Sequence, residues 1–194
     1  MAREDKRVER SRQLLIEALL QLMHEHPYSK ISVAQICQHS GVARPTFYLH
    51  YSTKDDLLRA YFEILFTQFY EQVDDYLTKT PDADPIIGEI LFKVWVDNAA
   101  LARLLTGDDI EALMLNEFKR YVERIILRYV SAHKLPVQNS TLLPYVVDFL
   151  AGASFMVIMR WIKDDFPISA EKMGALYANL VQPGLLQVLL NGKL

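Results

Sequence analysis

Apolar residues in this chain recur at intervals of three and four, and no stretch alternates as a strand would, so nearly every segment predicts helix. A first helix is expected over residues 5–26, with Leu15, Ala18, Leu19 and Leu22 on one face and Pro27 as its stop. Two short helices follow, then a long one over residues 54–77. The run TKTPDADP is a breaker, after which Asp84 and Pro85 cap and open a helix to residue 99. A short helix over 101–105 leads through the turn TGDD to a long helix over 109–133. The loop LPVQNST ends at Thr141, a candidate cap for a very apolar helix over 142–163. Ser169 caps the last helix, which Pro183 and Gly184 should kink or break near Asn179, and Gly192 ends it. The pattern is that of an all-α protein of about nine helices.

Residues 31–54, ISVAQICQHSGVARPTFYLHYSTK, carry the densest local signals. Ser32 is a good N-cap, and Gln35 three positions on can answer it in a capping box. Val33, Ile36, Cys37 and Ser40 share one face. Gly41 can take the left-handed conformation that closes a helix, and Val42 is an apolar plug for the turn. Pro45, with no N–H to donate, fits only the first turn of the next helix, residues 44–49. Phe47 should face inward, leaving Arg44, Thr46, Tyr48 and His50 to solvent or DNA. Ser52 and Thr53 restart a helix, with Asp55 and Asp56 as their capping-box partners. This is the layout of a helix-turn-helix that reads DNA.

Composition narrows the class. Of 194 residues 51% are hydrophobic, enough for a sizeable core. The longest apolar run, residues 149–159, is too short to span a bilayer, and the charged start MAREDKRVER has no secretory core. The lone Cys37 excludes an internal disulfide and fits a reducing cytoplasm, most simply as a small core residue. The net charge of −3 is split: residues 1–60 hold nine Lys/Arg against seven Asp/Glu, and the remainder twelve against seventeen. A basic head on an acidic body has the sign expected of a DNA-binding protein, though the asymmetry is small.

The run GVARPTFYLHYSTKDDLL resembles the signature of the tetracycline-repressor-like (TetR/AcrR) transcriptional regulators. It matches that pattern at Ile36, Gly41, Val42, Thr46, Phe47, Tyr48, His50, Lys54 and Leu57 without a gap. It departs at Cys37 and Ser40, where alanine is usual, at Ala43, which replaces a serine cap, and at Pro45 and Tyr51. The resemblance implies an N-terminal three-helix DNA-binding head, residues 1–53, and a C-terminal helical body for ligand binding and dimerisation, residues 54–194. It implies a sequence-specific regulator of double-stranded DNA, most simply a repressor of an inverted-repeat operator released by a small-molecule effector.

By the same resemblance Arg44, Pro45, Thr46, Tyr48 and His50 face the major groove or its walls, and Lys54 meets a phosphate. The chemistry agrees, since Arg can fork a guanine edge and Thr can offer its methyl to thymine. Helix starts near Ser32 and Thr53 would add backbone N–H donors for phosphate. A homodimer would place two heads roughly 34–36 Å apart on DNA. For its interface the 3-4 spacing singles out Leu150, Ala151, Ser154, Phe155 and Ile158, with Tyr177, Leu180, Val181 and Leu185 on the partner helix. The same stripe also fits an internal core. Trp95, Phe118, Phe155 and Met159, with Phe92, Leu104, Met114 and Trp161, either line an effector cavity or fill one. The stretch NAALARLLTGDDIEALMLNEF resembles a subgroup some of whose members work with protein partners, which implies the alternative of a co-regulated activator.

An enzyme finds little support. There is no GxSxG, no Gly-rich phosphate loop, no CxxC and no HExxH. The Asp74-Asp75, Asp108-Asp109 and Asp164-Asp165 pairs point about 100° apart on a helix, a poor geometry for acid–base couples. His24 and His26 do not share a helix face, so no metal site is expected, and no cofactor or membrane partner.

Overall fold

In a computed structural model of the chain, residues 2–79, 85–107, 109–132 and 140–191 are described. Nine α-helices occur among them and no strand: α1 (Ala2–Glu25), α2 (Val33–Ser40), α3 (Arg44–His50), α4 (Lys54–Lys79), α5 (Pro85–Asp97), α6 (Ala99–Leu104), α7 (Glu111–Ala132), α8 (Leu143–Lys163) and α9 (Ala170–Asn191). Short 3-10 turns occupy Tyr28–Lys30 and Ser140–Leu142. The expected features at Asp84, Asp108, Gly192 and most of LPVQNST lie outside the described residues, as does the side chain of Leu185.

The chain divides into two compact units. One comprises Met1–Ile64 with Gly107–Met114, the other Leu65–Thr106 with Leu115–Leu194. In the first unit α1, α2 and α3 pack on one another. Leu15 and Leu19 of α1, Ile36 of α2, Phe47 of α3, and Leu57, Leu58 and Phe62 of α4 are all fully buried. The returning segment contributes the buried Ile110 and Met114 to the same unit.

The second unit is built on aromatic contacts. Phe66 stacks on Tyr121 at 5.4 Å and tilts against Phe118, which in turn meets Phe155 at 6.0 Å. Phe92 of α5 stands edge-on to Trp161 of α8 and to Tyr177 of α9. The α5 and α9 helices cross at two glycines, where a Cβ on Gly88 would lie 2.5 Å from the Gly174 carbonyl oxygen. Only glycine lets the two backbones come this close.

The turn from α8 to α9 is strained. Asp165 and Phe166 have φ of 61° and 57°, a conformation that costs a non-glycine residue on the order of 1–3 kcal/mol. Surrounding bonds hold it: Phe166 N–H donates to Trp161 O, Trp161 Nε1–H donates to Ile168 O at 2.8 Å, and Arg103 pairs with Asp165 while lying over the Phe166 ring.

Two expectations change here. Of the kink or break expected from Pro183 and Gly184, the break does not occur, and α9 runs on to Asn191. One missing N–H removes only a single bond, that to the Asn179 carbonyl. Thr141 does not cap α8; it lies within the 3-10 turn, and the N-cap position falls on Leu142, which makes no side-chain cap bond. Helix α8 is long and apolar enough to cross a membrane by length and composition, and half of its most apolar window is buried in this protein's core.

The glycine crossing yields a stability prediction. Gly174→Ala should destabilise the protein by about 1–3 kcal/mol, the usual cost of overpacking, and lower its thermal midpoint. Gly152→Ala, where a Cβ meets nothing within 4 Å, should leave the midpoint unchanged or higher. Equal midpoints for the two variants in circular-dichroism melts would remove the close crossing as a structural requirement.

Candidate nucleic-acid interface

Helix α2 begins as the sequence predicts. Ser32 Oγ accepts from Gln35 N–H, and Gln35 Oε1 accepts from Ser32 N–H at 2.9 Å, closing the capping box. Ser32 thereby spends its own backbone donor inside the head. The helix ends on Gly41, left-handed at φ 69°. Ser40, where the related pattern has alanine, bridges this end: its hydroxyl donates to Cys37 O and accepts from Val42 N–H. Cys37 is buried, and that burial pushes its thiol pKa up.

Helix α3 carries no side-chain cap at Ala43 and has Pro45 in its first turn. It is held instead by Phe47, which has no exposed surface and meets Tyr51 at 5.8 Å. A helix turns about 100° per residue. Measured round the axis from Phe47, Arg44 and His50 lie about 60° away, Thr46 and Tyr48 about 100°, and Pro45 and Leu49 about 160°. Pro45 and Leu49, farthest from Phe47, are exposed, as are Arg44 and Tyr48, while Thr46 and His50 are half-buried. The structure thus brings the five α3 residues singled out by sequence onto one short helix and adds Leu49, at the outward pole. The signal was available in the sequence, because an inward Phe47 fixes the antipode two residues away on either side.

The 3-10 turn Tyr28–Lys30 ties the head together. Lys54 Nζ donates to Tyr28 O at 2.7 Å and Ile31 O at 2.9 Å and lies over the Tyr28 ring. Two of its three ammonium hydrogens are therefore committed within the head. Tyr28 OH donates to Asp55 Oδ1, and burial followed by that bond drives the phenol pKa far above its usual range. Ser29 N–H donates to Asp109 Oδ2 at 2.6 Å, which fixes the returning segment to the turn. Of the two capping boxes expected at the start of α4, only Thr53 with Asp56 forms, while Asp55 serves Tyr28.

The interface face expected on α8 is corrected by burial. Leu150, Ala151, Ser154, Phe155 and Ile158 are buried within the single chain, because this stripe is the one that seats α8 on its own unit. Leu150 and Val147 pack with Ile126 and Val181, and Ser154 bonds Tyr177 OH at 3.0 Å. Among the predicted residues whose side chains are described, Leu180 alone is strongly exposed, at 70%. The opposite face of α8 presents Tyr145, Phe149 and Met156, 66–71% exposed. Trp95, Phe118, Phe155 and Met159 are all buried in the second unit, and Met114 belongs to the first. Arg160 and Asp148 stand on the exposed face of α8, paired with Asp164 and Lys119. No cluster of His, Cys, Asp or Glu suited to a metal occurs among the described residues.

A short outward helix, set by a left-handed glycine turn on a buried aromatic in an all-helical chain, defines a helix-turn-helix DNA-binding protein. Residues 15–61 match the family model for bacterial regulatory proteins of the tetR family, and residues 85–183 match that for a transcriptional regulator C-terminal region. The chain belongs to the tetR family and is a transcriptional regulator.

A fatty acid metabolism regulator protein of Bacillus subtilis (strain 168) is 24% identical over 118 residues, 60% of this chain; the match spans 61% of that relative's length. A TetR transcriptional regulator from Streptococcus agalactiae 2603V shares the fold at TM-score 0.61 and 23% identity, over 92% of this chain and 97% of its own. The dihydroxyacetone kinase operon activator DhaS shares it at TM-score 0.55 and 20% identity, over 90% and 95%.

The α4 cap generates a pH prediction. The Thr53 hydroxyl bond, foremost, holds the Asp56 carboxyl below its ordinary pKa. A depressed folded-state pKa contributes stability that is present above the unfolded value, about pH 4, and lost as pH falls through the folded one. Asp56→Asn should therefore be less stable than the parent in urea at pH 7, with the gap narrowing as pH falls below the unfolded carboxyl value. A gap of constant size from pH 7 to pH 2.5 would rule out the charged cap as its source.

Proposed function

We propose that this regulator is a cytoplasmic homodimeric repressor that binds an inverted-repeat operator through residues 1–53 and releases it when an effector enters the body, residues 54–194. The single observation that carries the DNA reading is the outward face of α3, held on Phe47 in a family-typical head. Arg44, Thr46, Tyr48 and His50, on the two flanks, meet base edges and groove walls, and Pro45 faces the groove floor. Lys54 anchors the turn Tyr28–Lys30 and gives its remaining hydrogen to a phosphate.

The dimer forms through the outward face of α8, Tyr145, Phe149 and Met156, together with Leu180 of α9. Three large apolar residues on one face, on the order of two-thirds exposed, exceed the scattered singles of an ordinary surface. The effector is an apolar small molecule lodged among Trp95, Phe118, Phe155 and Met159, and α4, continuous from Lys54 to Lys79, transmits its arrival. The role of the Bacillus subtilis relative makes fatty acids the first effectors to test.

One observation favours a second reading. Phe118 already meets both Phe66 and Phe155, as in a filled core. A body of that kind would sense a docked protein partner instead, and the chain would act as a co-regulated activator.

Purified protein should select one short inverted repeat from random genomic fragments at physiological salt. Arg44→Ala and Tyr48→Ala should each bind that repeat at least about 10-fold more weakly, with log affinity falling steeply against log salt for the parent. Unchanged affinity in both variants would remove α3 as the reading element.

Phe149→Glu should yield a monomer in light scattering while keeping the helical circular-dichroism spectrum of the parent, since the side chain is exposed in the single chain. Leu150→Ala, one residue away, should cost about 2–5 kcal/mol of stability. A dimeric Phe149→Glu protein would place the interface elsewhere.

A further inference from the structure

Leu49 is 81% exposed, more than any other large apolar residue described. Single exposed leucines are common and need no explanation. This one differs in its position. With Phe47 buried completely, Leu49 and Pro45 stand one turn apart at the outward pole of α3. The residues able to form hydrogen bonds, Arg44, Thr46, Tyr48 and His50, lie on the two flanks. The part of the helix that enters deepest into a groove is therefore apolar, and its side chains can neither donate nor accept. On the base-pair edges of the major groove the apolar group is the C5-methyl of thymine.

We infer that Leu49, backed by Pro45, is a specificity-determining residue that reads a thymine methyl group in each half-site. The inference rests on α3 being the groove helix and goes beyond it by naming the base and the atom recognised. The flanking polar groups then set register, and the pole discriminates. A cytosine under Leu49 would lose its amino-group hydrogen bond to water without a replacement, a cost that adds to the missing methyl contact.

The test uses the full chain and the operator it selects from a random duplex pool. Each thymine is replaced in turn by deoxyuridine, which deletes the methyl and leaves every hydrogen-bonding group in place. The parent protein should lose about four-fold in affinity per half-site at one thymine position, the worth of one buried methyl. Leu49→Ala should lose that sensitivity, and Leu49→Met should retain it. Both variants should melt with the parent, since the side chain is exposed.

Indifference of the parent to every deoxyuridine overturns the inference while leaving the DNA reading intact. So does a Leu49→Ala protein that stays equally sensitive at the same thymine. Failure of the parent to select any shared sequence overturns the DNA reading itself, and this inference with it.

Discussion

A seven-residue helix does not hold together alone in water, because the cost of nucleation exceeds what so few hydrogen bonds return. Helix α3 also lacks a side-chain cap at Ala43. Its existence rests on burying Phe47, and the turn that precedes it serves that burial. The left-handed Gly41 aims the chain, Val42 closes the turn, and Ser40 ties the end of α2 to the start of the turn. Because the inward pole is fixed by one large ring, the outward pole is fixed as well, and the flanks inherit their order from the helical repeat.

The turn Tyr28–Lys30 is the second point on which the head depends. It receives a cation from α4 through Lys54, offers a phenol to Asp55, and is met at Ser29 by Asp109 from the segment Gly107–Met114. Charges that an unfolded chain would leave hydrated are here assigned to backbone carbonyls and N–H groups, where charge-assisted bonds are stronger than neutral ones. Asp109 joins the head from a position some eighty residues along the chain, so the unit is not one continuous stretch.

In the second unit, α8 is apolar on both faces, and periodicity alone cannot say which face is core. The stripe Leu150, Ala151, Ser154, Phe155 and Ile158 has the small residues that favour close helix approach, a pattern equally suited to an interface or an interior. Packing against Ile126 and Val181, and the Ser154–Tyr177 bond, settle it as interior. The outward residues Tyr145, Phe149 and Met156 then carry the apolar surplus.

Local rules in the sequence were enough for the all-helical class, the capping box at Ser32, the glycine turn, the inward Phe47 and the family signature, because each depends on residues within a turn or two of one another. They were also enough for the pole at Leu49, once Phe47 was placed. What lay beyond them depends on partners distant along the chain. The commitment of Lys54 to Tyr28 and Ile31, the Asp109 contact, the Gly88–Gly174 crossing and the choice of face on α8 each join separate elements of the chain. Periodicity specifies which residues share a face, but only the tertiary structure decides what that face meets, since burial is a property of the neighbours and not of the helix itself.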